Sequence, residues 1–166
     1  MGWIGGAIID RFEPFGVELI GVRNSPSKGG AADEVVGIEQ VPEVLPRTDY
    51  LVLACPLTEQ TAQLVDETAL ERLPPDSVVV NIARGKVVDT DALCTALQTN
   101  ELRGAALDVT DPEPLPDGHP LWSHDNCLIT PHNAGHTPRY WERMTDIIAE
   151  NLDRLETDKP LRNLAA

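Results

Sequence analysis

At 166 residues, with 42% hydrophobic and 24% charged residues, the chain has the size and composition of one ordinary globular domain with a proper core. Twenty-seven Asp and Glu face thirteen Lys and Arg, a formal net charge of −14, which argues against nucleic acid and against anionic membrane surfaces because both would repel it. No apolar run approaches the roughly 20 residues of a membrane span. The start of the chain, from Met1 to Gly16, carries neither a basic stretch nor a small-residue cleavage site, so it reads as cytoplasmic.

Only Lys28, Lys86 and Lys159 are lysines. An acid-rich, lysine-poor surface of this halophile-like kind would suit a high-salt cytoplasm, where ions screen the self-repulsion; a compositional bias of the genome accounts for it equally. Cys55, Cys94 and Cys127 lie far apart, which fits neither a metal-ligand spacing nor a disulfide framework, so reduced structural thiols and no metal are expected.

In chain order, the first feature is Met1-Gly2-Trp3-Ile4-Gly5. A dinucleotide turn has three glycines, for the sharp turn, for close approach of backbone to the pyrophosphate and for helix packing. Gly2 and Gly5 match the second and third. Ile4, Ile8 and Phe12 follow at helical spacing, and Val17–Val22 reads as a strand. After that strand a dinucleotide enzyme holds the adenosine ribose, and here stands Val22-Arg23-Asn24-Ser25. A guanidinium with a hydroxyl suits a 2′-phosphate, so NADP(H) is favoured, with NAD(H) the alternative.

Further strands are expected over Tyr50–Cys55, Ser77–Ile82, Gly104–Asp108 and Asn126–Thr130. The runs LVLAC and VVVNI are nearly continuous in apolar residues, as in parallel strands covered on both faces. Asp66 reads as the cap of a helix with Ala69, Leu70 and Leu73 inward. Asp89 reads as the cap of the next, with Ala92, Leu93, Ala96 and Leu97 inward. The segment Asp111–Pro120 holds four prolines and is an ordered loop after a strand. Thr137 and Pro138 read as N-cap and first residue of a last helix striped with Trp141, Met144, Ile148, Leu152 and Leu155. Strands alternating with helices predict an α/β protein, a three-layer, doubly wound parallel sheet.

Such folds keep ligands at the carboxyl ends of the strands, and three segments fall there: Asn81-Ile82-Ala83-Arg84-Gly85, Asp108 with Asp111-Pro112-Glu113-Pro114, and Thr130-Pro131-His132-Asn133-Ala134-Gly135. Taken singly, Arg84, Glu113 and His132 have dull explanations as a surface cation, a solvated acid and a strand-end histidine. Together they offer a guanidinium to grip a carboxylate and carbonyl, and an imidazole to move a proton. They add a carboxylate to orient the ring and stabilise imidazolium. Asp108 could bond a nicotinamide carboxamide.

The stretches CPLTEQT (Cys55–Thr61), NIARGKVVDTDAL (Asn81–Leu93), GAALDVTDPEPLP (Gly104–Pro116), HPLW (His119–Trp122) and ITPHNAGHTPRYWER (Ile129–Arg143) together resemble the D-isomer-specific 2-hydroxyacid dehydrogenases, the group that includes glyoxylate/hydroxypyruvate reductases and phosphoglycerate dehydrogenase. The resemblance implies a Rossmann-like domain and hydride transfer between NAD(P)H and a small 2-oxo or D-2-hydroxy acid. It implies Arg84 as substrate-binding residue, His132 as general acid/base and Glu113 as its partner. It further implies cofactor contacts at Gly2, Trp3, Ile4, Gly5, Arg23, Asn24, Ser25, Cys55, Pro56, Thr61, Ile82, Ala83, Arg84, Asp108, His132 and Gly135, and a homodimer formed through the cofactor domain. His119, His124 and His136 match no catalytic position.

Against that pattern the chain departs at its start, where the first glycine, the first strand and the N-terminal part of a substrate domain have no counterpart. The expected organisation is a cofactor domain over 1–137, with a helix and tail over 138–166 that would return to that second domain. A reading frame begun too late, or a need for a partner chain, would explain the departure, and weak or no turnover is expected of these 166 residues alone. The other readings are a regulatory, corepressor-like nucleotide-binding protein and an inactive fragment of the same fold.

Overall fold

The structure, a computed structural model, describes residues 2–163. It contains six strands, β1 (Ile20–Val22), β2 (Glu34–Val36), β3 (Tyr50–Leu53), β4 (Val78–Asn81), β5 (Gly104–Leu107) and β6 (Cys127–Ile129). The α-helices are α1 (Trp3–Phe12), α2 (Val41–Val44), α3 (Glu67–Glu71), α4 (Thr90–Gln98) and α5 (Tyr140–Glu156). Two compact units result, Met1–His132 and Asn133–Ala166.

In the first unit every pairing is parallel, in two sheets: β1 with β2, and β3-β4-β5-β6 in that order. This is the α/β, Rossmann-like arrangement that the alternating pattern predicts. Among the described residues no strand joins β1 to β3, so the expected single sheet is interrupted there. Each strand is one to three residues shorter than its apolar run, because ladder bonds stop before apolar character does. β2 carries no sequence expectation; Glu-Val-Val is too short to register as a strand pattern.

The core lies on one face of the larger sheet. Val79 and Asn81 of β4 are buried beside Ala105 and Leu107 of β5, their partners in register. Val78 and Val80 on the other face are half-buried, so that face is covered less fully and alternation survives within the apolar run. Leu93, Cys94, Ala96 and Leu97 of α4 join Leu70 and Leu73 in this core, while Ala92 is half-buried. Both aspartate caps form. Asp66 accepts from the Ala69 N–H at 2.9 Å, and Asp89 from those of Asp91 and Ala92 at 3.1 and 3.0 Å.

α1 contains Ile4, Ile8 and Phe12, as their helical spacing predicts. Ile9 is buried, Ile8 half-buried, and Ile4 and Phe12 are exposed. The cysteines are free, as expected. Burial raises all three thiols, with Asp91 adding to the effect at Cys94; Cys127 reaches about 11 through burial and the neighbouring Cys94.

In the second unit Thr137 does not cap the last helix. Its carbonyl accepts from the Tyr140 N–H at 3.0 Å in a turn, and α5 starts at Tyr140 without a side-chain cap. No residue of α5 is buried, and Trp141, Ile148, Leu152 and Leu155 are exposed. The tail after it is tied back by polar groups. Arg154 donates to Glu150 and to the Pro160 carbonyl, and Asn151 both donates to and accepts from the backbone of Arg162.

Candidate active site

Three loops leave the carboxyl ends of β4, β5 and β6. The first is organised by Asn81, whose side chain is 1% exposed. Its amide oxygen accepts from the Ala83 N–H and its amide nitrogen donates to the Arg84 carbonyl, both at 3.0 Å. One buried amide thus replaces the backbone pairing that a loop lacks, and turns Arg84 outward. The Arg84 guanidinium donates to the Ala83 carbonyl at 2.6 Å, is exposed, and forms no ion pair among the described residues. Gly85 must be glycine, because a Cβ there would lie 1.9 Å from the Thr110 carbonyl oxygen.

At the end of β5 sits Asp108, 6% exposed. Its N–H donates to the Asn81 carbonyl at 2.9 Å, and one carboxylate oxygen accepts from the Thr130 hydroxyl at 2.6 Å. The proline-rich segment that follows is an ordered loop, as expected. Thr110 donates to the Pro112 carbonyl at 2.9 Å, and Leu115 is buried. Glu113 stands between these anchors.

After β6 the chain makes a tight three-residue turn in which the His132 N–H donates to the Thr130 carbonyl at 3.0 Å. His132 has φ +49°, a left-handed conformation that a non-glycine residue adopts at some cost. The turn sets its ring against Glu113, Nδ1 to Oε1 at 2.8 Å, with both side chains about half exposed. With Nδ1 facing the carboxylate, Nε2 is left to meet another molecule. The sequence alone places Glu113 and His132 at neighbouring strand ends; the structure makes them a hydrogen-bonded pair.

The proposed cofactor residues lie at the ends of several elements. Gly2 precedes α1, and no side chain caps the helix that Trp3, Ile4 and Gly5 begin. Such a terminus leaves N–H groups for an anion. After β1, the Arg23 guanidinium donates to the Gly29 carbonyl, closing the loop that contains Asn24 and Ser25. Beyond β3, Cys55 is half-buried and Pro56 exposed. Thr61 turns inward: its buried hydroxyl donates to the Pro56 carbonyl at 2.6 Å and accepts from the Thr58 N–H at 2.7 Å, so it shapes the loop. Ile82 is half-buried and Ala83 buried within the Asn81 cage. Gly135 belongs to the second unit, with open space where a Cβ would stand.

The three other histidines have local partners. His119 accepts from the Leu121 N–H, His124 Nε2 lies 3.7 Å from Cys94 Sγ, and the His136 ring faces Tyr140. Two cavities of about 330 and 520 Å³ lie elsewhere, one against Val41 and Leu45, the other against Gln63, Asp89 and His119. Neither is lined by Arg84, Glu113 or His132. Among the described residues no group of His, Cys, Asp and Glu could hold a metal ion, and no helix is long and apolar enough to cross a membrane. Asn81, Gly85 and Thr130 are absent from the sequence-based site; only the first two lie in a segment whose residue types point to a tight loop.

An uncapped helix start, a cation after β1 and a shielded carboxylate after β5 suit a dinucleotide bound at the carboxyl ends of parallel strands. Residues 1–134 match the family model described as the NAD-binding domain of D-isomer specific 2-hydroxyacid dehydrogenases, and the chain belongs to that family. It is 38% identical over 153 residues to the human glyoxylate reductase/hydroxypyruvate reductase, covering 92% of this chain and 47% of that protein. With the glyoxylate reductase of Pyrococcus furiosus it shares 39% over 153 residues, 91% of this chain and 45% of the other. A D-isomer specific 2-hydroxyacid dehydrogenase from Xanthobacter autotrophicus Py2, solved with NADPH and MES, superposes with a TM-score of 0.86 at 33% identity, over 96% of this chain and 65% of that one. The chain spans about half the length of the curated relatives it matches.

Proposed function

We propose that this chain is the cofactor-binding part of an oxidoreductase that transfers hydride between NADP(H) and a small 2-oxo acid or D-2-hydroxy acid. The observation that carries this reading is the hydrogen bond between His132 Nδ1 and Glu113 Oε1 at 2.8 Å, on the same sheet edge as Arg84, which forms no ion pair among the described residues. A nicotinamide ring, when bound, supplies or takes the hydride at C2 of the substrate. Arg84 holds the substrate carboxylate and the neighbouring oxygen through paired donors. His132 gives a proton from Nε2 to the C2 oxygen during reduction and takes it back during oxidation. Glu113 keeps the ring in that orientation. Asp108 accepts from the carboxamide, and Arg23 with Asn24 and Ser25 receives the adenosine ribose and its 2′-phosphate; the relative solved with NADPH supports this preference. Glyoxylate and hydroxypyruvate fit the names of the relatives, and the working form is a cytoplasmic homodimer.

The test is an assay of the chain with glyoxylate or hydroxypyruvate and either nucleotide, beside calorimetric binding of each nucleotide. Whatever turnover the 166 residues sustain should fall at least ~100-fold in His132→Gln, the range of a lost general acid. Turnover unchanged in that variant would refute the role of His132. Tighter binding of NADPH than NADH is expected, and equal or tighter NADH binding refutes the preference.

A further inference from the structure

We infer that Thr130 is a positioning residue for the nicotinamide carboxamide, acting through Asp108; this rests on the cofactor reading above. The Thr130 hydroxyl donates to an Asp108 carboxylate oxygen at 2.6 Å, and Asp108 is 6% exposed. A carboxylate so shielded needs donors, and this one comes from the adjacent strand end, not from the residue's own loop. The backbone of Asp108 is held on its other side, N–H to the Asn81 carbonyl. Thr130 thus contributes to aiming the side chain, while the main chain is aimed by β4.

The hydroxyl is not what attaches Thr130 to the sheet. The Thr130 N–H already donates to the Leu107 carbonyl at 2.9 Å, completing the β5–β6 ladder. Valine at this position would keep the shape, the β-branch and that backbone bond, and remove only the donor. What the donor does is fix the rotation of a carboxylate whose task is to accept from the carboxamide N–H group, and a fixed acceptor binds more tightly than a turning one.

The discriminating probe is a nucleotide that lacks that N–H. NADP and its 3-acetylpyridine analogue differ there by an amide replaced with a methyl ketone. Calorimetry on the full 166-residue chain should show wild type favouring NADP, and Asp108→Ala losing that preference. Thr130→Val should weaken NADP about fivefold to tenfold, the scale of one ordinary hydrogen bond, and change binding of the analogue less than about twofold. Thr130→Ser should restore NADP binding. Equal weakening of both nucleotides in Thr130→Val, or no weakening of either, overturns the inference, as does failure of serine to restore. If Asp108→Ala abolishes the wild-type preference while Thr130→Val leaves it intact, the cofactor reading stands and the role of Thr130 falls. If wild type shows no preference for NADP, the cofactor reading of Asp108 fails first, and the inference with it.

Discussion

Gly85 shows how closely the Arg84 loop is built against its neighbour. A methyl group there would meet the Thr110 backbone at 1.9 Å, and backbone cannot step aside as a flexible side chain can. Gly85→Ala should lose about 1–3 kcal/mol of unfolding free energy, the usual cost of overpacking, measured by urea titration; an unchanged midpoint would contradict the contact. Cys127 allows a test by pH. Its folded-state value of about 11 lies above the ordinary 9.0, so the folded chain holds this proton more tightly than the unfolded one. Stability from this group is complete below pH 9 and is lost as pH rises towards 11. Thermal melts across that window should fall more steeply for wild type than for Cys127→Ala, and parallel curves would show that the thiol is not shielded. Among residues, Arg84, Glu113 and His132 were legible because charged types stand out beside apolar strand ends. Thr130 was not, since its hydroxyl meets Asp108 only once β5 and β6 stand side by side, and Asn81 was not because nothing in its short loop marks which side chain will be buried.

Helices capped by aspartate were readable because the cap and its N–H partners lie within three residues. Asp89→Ala should therefore destabilise the chain by about 1 kcal/mol, read as a lower denaturation midpoint. No shift would mean that α4 is held by packing alone. Thr137 looked like the same kind of signal, yet its carbonyl serves a turn and α5 starts three residues later at Tyr140. A hydroxyl before proline fits either geometry, and local sequence does not choose between them. In α1 the periodicity marks the helix without saying which side is covered. Ile4, Ile8 and Phe12 share a stripe, while tertiary contact buries Ile9. On α5, Trp141, Ile148, Leu152 and Leu155 keep the predicted stripe exposed, because helical spacing gathers apolar residues without supplying a surface to cover them.

The charge of −14 belongs to the molecule as a whole, and few of its acids are offset in the fold. Arg47 pairs with Glu18 and Glu34, and Glu150 pairs with Arg154 and Arg162, which holds its carboxyl below the usual range. Such exposed pairs add little individually, so the surplus repulsion should respond to screening. The melting temperature should rise with KCl over the molar range in differential scanning calorimetry; indifference to salt would leave a compositional bias as the account of the acidity. By itself the sequence determined the parallel α/β class, five of the six strands, the two aspartate caps and the three residues at the sheet edge, because all of these rest on local patterns of apolar and charged side chains. The tertiary structure decided the rest. The break between β1 and β3, the covered face, the packed side of α1, the fit of Gly85 against Thr110 and the bond from His132 to Glu113 depend on residues distant in sequence, and only packing sets which distant residues meet.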